Sequence, residues 1–140
     1  MTIQQGQCTV FKKNCLSALE NFAVGTPYTY KIALYAASAN LGPDTLSYTT
    51  TNEIVGTGYT AGGETLVVVP PATGDQTAYI SFENVIWDPA SFTCRGALIY
   101  NSTTGSAVAV LDFGSDKTAS NTFTITFPAN TASNAIIRFN

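Results

Sequence analysis

Apolar positions near the start of the chain recur with the spacing of a helix, and from residue 28 onward with the spacing of strands. Phe11, Cys15, Leu19 and Phe22 fall at i, i+4, i+8 and i+11, a stripe down one helical face. Lys12, Lys13, Asn14, Ser17, Glu20 and Asn21 occupy the other side. The spacing predicts one amphipathic helix over 10–23, with Thr9 as N-cap and Gly25 followed by Pro27 as the stop. A single apolar face is enough to lay such a helix across a sheet.

After Pro27 the period drops to 2. In Tyr28 to Tyr35, Tyr30, Ile32 and Leu34 share one face, and Lys31 and Ala33 the other. Gly42, Pro43 and Asp44 mark a turn-rich connection. The threonine run Ser47 to Glu53 reads as an edge strand or an ordered loop, and Gly56 to Gly63 as a glycine-rich loop. Glu64 to Val69 is a short strand, expected to end at Pro70-Pro71. Gln76 to Trp87 alternates and is broken by Asp88-Pro89. Phe92 to Tyr100 and Ala107 to Phe113 form a hairpin around Asn101 to Ser106, with Gly105 in the turn. In Thr122 to Phe127, Phe123, Ile125 and Phe127 point inward and three threonines outward. Ala135 to Phe139 is the last apolar strand.

About seven short strands, with turn signals between them, predict a mainly β protein. The expected architecture is a single compact β-sandwich or barrel with one N-terminal amphipathic helix. It divides into an N-terminal arm (1–9), the helix (10–23) and a β domain (28–140). No linker, second domain or internal repeat is visible.

Composition sharpens this picture. Charged residues are only 11% of the chain, against a usual quarter or so. Their place is taken by neutral polar residues, among them 21 threonines. Such a surface loses little hydration when a partner covers it, although threonine is also simply a good strand residue. The net charge is −3, and the six cations Lys12, Lys13, Lys31, Arg95, Lys117 and Arg138 are scattered, which argues against nucleic acid as a partner. No apolar run approaches the roughly 20 residues of a membrane span. Met1 to Gln7 is polar and uncharged, which predicts no secretory signal and a chain made in a cytoplasm.

Three cysteines, Cys8, Cys15 and Cys94, cannot all pair within one chain. Buried thiols are the expectation in a reducing cytoplasm, with an intermolecular disulfide through Cys8 as the alternative.

The search for catalytic chemistry is largely negative. Histidine is absent, which removes the commonest general base, the Ser-His-Asp triad and most metal sites. No two cysteines stand at C-x-x-C spacing. The nine acids, Glu20, Asp44, Glu53, Glu64, Asp75, Glu83, Asp88, Asp112 and Asp116, read mainly as turn caps. Asp112 and Asp116 are a weak calcium signal without the dense acidic spacing of a binding loop. Gly56, Gly58 and Ala61 match a dinucleotide fingerprint, but Gly62-Gly63 would break the helix it needs. Asp112-Phe113-Gly114 spells a kinase triplet in a chain too short for that fold. Asn101-Ser102-Thr103 is a glycosylation sequon, without consequence in a cytoplasm. The expectation is therefore no enzyme, no cofactor and no metal. Aromatics gather near turns: Tyr48, Tyr59, Trp87, Phe92 and Tyr100. They serve as core anchors or, for Tyr48, Tyr59, Trp87 and Phe92, as an interface or a sugar platform.

Several strings taken together carry a resemblance. They are Phe11 to Phe22 (FKKNCLSALENF), Tyr30 to Tyr35 (YKIALY), Thr49 to Gly63 (TTTNEIVGTGYTAGG), Val85 to Trp87, Arg95 to Asn101 (RGALIYN) and Ala107 to Gly114 (AVAVLDFG). In order and content the chain resembles small virion structural proteins of tailed bacteriophages, namely capsid decoration or cement proteins. The three cysteines and Pro70-Pro71 depart from that pattern. The resemblance implies a non-catalytic subunit, assembled on the phage particle as a homotrimer that bridges major capsid subunits. A tail, neck or tail-tip component of the same virion is the first alternative, and a carbohydrate-binding host-attachment module the second.

Overall fold

The computed structural model describes residues 2–139. In chain order the elements are β1 (Gly6–Gln7), α1 (Thr9–Leu16), β2 (Tyr30–Tyr35), β3 (Glu64–Thr65), β4 (Val68–Gly74), β5 (Thr77–Phe82), β6 (Val85–Trp87), β7 (Phe92–Asn101), β8 (Ala107–Ala119), β9 (Phe123–Ile125) and β10 (Ile137–Phe139). They make a mainly β protein with one short N-terminal helix and three antiparallel sheets. The largest runs β1-β8-β7-β2-β3, the second β10-β5-β4, and the third pairs β6 with β9. Of the two architectures expected, the barrel is not there: among the described residues the sheets are open and none closes on itself.

The helix, at 8 residues, is much shorter than the span 10–23 expected. It stops at Leu16 because Ala18 turns left-handed (φ +58°), far earlier than Gly25. The Leu19 N–H then reaches the Asn14 carbonyl (2.8 Å) and the Ala18 N–H that of Cys15 (3.2 Å), closing the end as a Schellman motif. Leu19 is therefore half exposed rather than on a buried stripe. The N-cap is Cys8, not Thr9, and no side chain caps it.

The core lies on both faces of the β2–β7–β8 centre. Ile32, Ala33, Leu34 and Tyr35 are all buried, as are Ala97 to Tyr100 and Ala107 to Val110. This differs from the one-sided alternation expected of β2 and follows from its central place, with Lys31 paired to Tyr100 and Leu34 to Ala97. The hairpin turns at Gly105 (φ +86°), as its sequence predicts, but β8 continues to Ala119. Its outer half is mostly exposed, held by pairing to Phe92, Thr93 and Cys94.

On the side of Tyr30, Phe22 stacks on the Tyr30 ring (4.4 Å) and meets Phe82 of β5 edge-on (6.3 Å). The strand expected over Glu64 to Val69 is split between β3 and β4 and does not end at Pro70-Pro71. β4 runs through both prolines with a register shift between Val69 and Ala72. Proline lacks an N–H, so this is tolerated because β4 is an edge strand. Phe123, Ile125 and Phe127 do turn inward, with Thr122, Thr124 and Thr126 exposed. No helix among the described residues is long and apolar enough to cross a membrane.

Candidate functional site

The threonine run and the glycine-rich loop after it fold back onto the end of β2 that β3 leaves unpaired. Isolated bridges join Tyr35 to Glu53, Ser47 to Ser106 and Thr57 to Ser91. The Ile54 N–H donates to the Leu34 carbonyl (3.1 Å) and the Ala36 N–H to that of Asn52 (3.0 Å). The loop therefore borrows ladder bonds from β2 without becoming a strand. Gly63 makes this approach feasible: a Cβ there would sit 1.7 Å from the Ile32 carbonyl oxygen.

At the centre of the loop is the carboxylate of Glu53, part-buried, which collects three donors. Tyr48 donates its hydroxyl to Oε1 (2.5 Å), and Tyr59 and the Gly62 N–H (2.8 Å) donate to Oε2. The Tyr59 oxygen also accepts the Leu34 N–H (3.0 Å), and Tyr100 donates to the Gly62 carbonyl (2.7 Å). Tyr48 stacks on Tyr100 at 4.7 Å, and Tyr35 donates to the Thr49 carbonyl (2.6 Å).

Burial, then the hydrogen bond to Glu53, pushes the Tyr48 and Tyr59 phenols well above the ordinary tyrosine range. Burial, then the Glu53 charge, pushes Tyr100 up to about 12. The phenols stay neutral donors at physiological pH. Two donors occupy Oε2 and one occupies Oε1, so the carboxylate clasps the loop to the sheet.

A second carboxylate does similar work nearer the helix. Glu20 Oε1 accepts the Tyr30 hydroxyl and the Asn101 Nδ2, each at 3.0 Å. Its Oε2 is buried with no protein partner. Asn101 in turn accepts the Thr103 and Thr104 N–H groups (3.0 and 3.3 Å), shaping the hairpin turn.

The four aromatics read as core anchors or as interface residues divide into two pairs. Trp87 is 1% exposed and packs against Phe92 and Phe123, so both Trp87 and Phe92 belong to the core. The Trp87 Nε1 is buried without a protein acceptor. Tyr48 and Tyr59 are part-buried, their hydroxyls committed to Glu53.

All three cysteines are unpaired thiols. Cys8 is 0% exposed, with its Sγ 3.7 Å from the Gly42 carbonyl, so crosslinking through it requires the N-terminal arm to open. Burial pushes Cys8 up to about 11. Burial, then the Glu20 charge, does the same to Cys15. Burial, then Asp116, takes Cys94 to about 12.

Among the described residues no three His, Cys, Asp or Glu side chains gather as a metal site. Asp112, weighed above for calcium, is instead held below the usual carboxylate range by the Gly114 N–H (2.9 Å) and by Arg95 (3.2 Å).

Sequence reasoning missed both carboxylate clasps. The only signal was a lone Glu53 in a cation-free stretch flanked by Tyr48 and Tyr59. It also missed the exposed apolar side chains Leu16, Val24 and Val55, each more than four-fifths exposed. No protein-family model, curated protein or solved structure matches the chain.

Proposed function

We propose that this chain is a non-enzymatic structural protein of a tailed-bacteriophage virion. In this reading it is a capsid decoration or cement protein that binds the assembled head and bridges major capsid subunits as a homotrimer. It is made in the host cytoplasm and comes to rest on the particle, with neither nucleic acid nor membrane as partner. The observation that carries the reading is the surface. Leu16, Val24 and Val55 stand out, one by one, from a surface whose chain is only 11% charged. Covering such a surface strips few ions of water, and repetition over a shell multiplies each weak contact. The whole-chain resemblance supports the same role.

The sandwich belongs to this proposal: the five-stranded sheet forms one layer and the smaller sheets the other. Phe22, wedged between Tyr30 and Phe82, supports it. A sugar platform draws less support, because Trp87 lies inside the core.

Mixing purified protein with undecorated capsids tests the role. Stoichiometric, saturable binding at hundreds of copies per particle is expected. Absence of binding, together with a few copies in the tail or neck, overturns it in favour of the tail component. Hits on a glycan array would favour host attachment.

A further inference from the structure

An open cleft of about 810 Å³ runs between α1 and β10, lined by Gln7, Lys12, Cys15, Leu16, Arg138 and Phe139. It holds two cations and no acid, in a chain whose net charge is −3. Neither cation is in an ion pair among the described residues, where Arg95 with Asp112 is the one such pair. Arg138 spends one N–H on the Ser133 carbonyl (2.5 Å), which leaves the rest of its fork free. Leu16 is 92% exposed and Phe139 43%, so the cleft also has an apolar wall.

β10 is the outermost strand of its sheet. Across the cleft, Gln7 Nε2 donates to the Arg138 carbonyl at 3.3 Å, a long bond. In an antiparallel ladder the N–H and C=O of one residue point to the same side. Arg138 therefore turns both backbone groups to the cleft, with only a side-chain amide holding one of them. Beside it lies a hollow of about 140 Å³ that shares Cys15 and Phe139 with the cleft and is walled by Phe22, Pro71, Ile80 and Ile137. An apolar cavity of about 150 Å³ accepts a benzene-sized group.

We propose that this cleft binds an extended acidic segment of a partner protein, which adds as a strand along β10. Its carboxylates lie on Lys12 and Arg138, and one apolar side chain enters the hollow beside Cys15. Pairing with the Arg138 backbone sets the register, and the two cations and the hollow supply affinity and selectivity. The site stands on its own geometry, so failure of capsid binding leaves the peptide result below unchanged.

The probe is a fluorescein-labelled peptide of alternating glutamate and leucine, compared with one in which lysine replaces glutamate. Fluorescence anisotropy is expected to show the acidic peptide binding at least roughly tenfold more tightly, the preference shrinking as salt is raised. Amide shifts in NMR spectra should centre on Arg138 and Phe139. The K12E/R138E variant should lose the preference while keeping its thermal melting curve. If that variant fails to fold, the peptide swap on the unaltered protein still decides. Equal binding of both peptides overturns the proposal, as do shifts centred elsewhere. Preferential binding to vesicles of anionic phospholipid, with no peptide binding, overturns it too.

Discussion

Replacing Glu53 by glutamine isolates the clasp that ties the 47–63 loop to the sheet. Glutamine keeps the shape and one acceptor oxygen, but its amide nitrogen cannot accept a hydrogen bond. If its oxygen takes the place of Oε2, it retains the Tyr59 hydroxyl and the Gly62 N–H. The nitrogen then faces the Tyr48 hydroxyl, which loses its acceptor. In the opposite orientation two donors are orphaned, so the first is preferred. One charge-assisted bond is lost in a part-buried site, a cost of about 2 kcal/mol. That is a large share of the roughly 5–15 kcal/mol by which a domain is stable. In urea, with a slope of about 1–3 kcal/mol per molar for a small protein, the midpoint should fall by about 1 M. Tyr59→Phe should also destabilise, since it leaves the Leu34 N–H without its acceptor. Because both changes touch one network, the E53Q/Y59F cycle should show coupling of about 1 kcal/mol. A midpoint shift below about 0.2 M, or strictly additive costs, would refute the clasp, since either result means water serves Glu53 as well as the tyrosines do.

Three further outcomes follow from the backbone and from buried ionisable groups. Gly63→Ala should cost at least about 3 kcal/mol, because its Cβ meets the Ile32 carbonyl at 1.7 Å. Gly105→Ala, also at positive φ but with nothing within 4 Å, should cost only about 1 kcal/mol; thermal melts that rank the two equally would contradict this. Ala18→Gly should stabilise by about 0.5–1 kcal/mol, since glycine relieves the left-handed alanine closing α1; calorimetry showing destabilisation would contradict it. Finally, Cys8, Cys15, Cys94 and Tyr100 all have folded-state values raised above their ordinary ones. Groups raised in this way contribute stability that is complete below the ordinary value and is lost as pH rises through the folded one. Stability should therefore hold to about pH 9 and decline from there to pH 12. Urea midpoints rising across that interval, or fast iodoacetamide labelling of Cys8 at pH 8, would contradict this account.

Elements that carry a local signal were legible in the sequence, and features set by distant partners or by a single backbone angle were not. The Tyr30–Tyr35 strand and the hairpin at Gly105 follow from alternation and a turn glycine. The helix was misjudged because its stripe continues through Leu19 and Phe22, whereas its end is set by one left-handed alanine with no glycine to mark it. The outer half of β8 was missed because Gly114 to Thr118, exposed along its length, carries no apolar period. Neither clasp was visible. Glu20 finds Asn101 across 81 positions, and no pattern in a single sequence encodes such a pair. Trp87 and Phe92 flank a turn, so the sequence left them open between core anchors and interface residues; they close the aromatic core around Phe123.

The two prolines of β4 have a consequence for crowding. The three-stranded sheet has two outer edges, β4 and β10. The β4 edge carries Pro70 and Pro71, which offer no N–H to an incoming strand. A copy that docks edge-on can therefore add at β10 but offers no equivalent edge to the next. Growth through this pair of edges halts after one addition. Strand pairing across this one sheet is thus self-terminating, and a run of copies cannot extend through it.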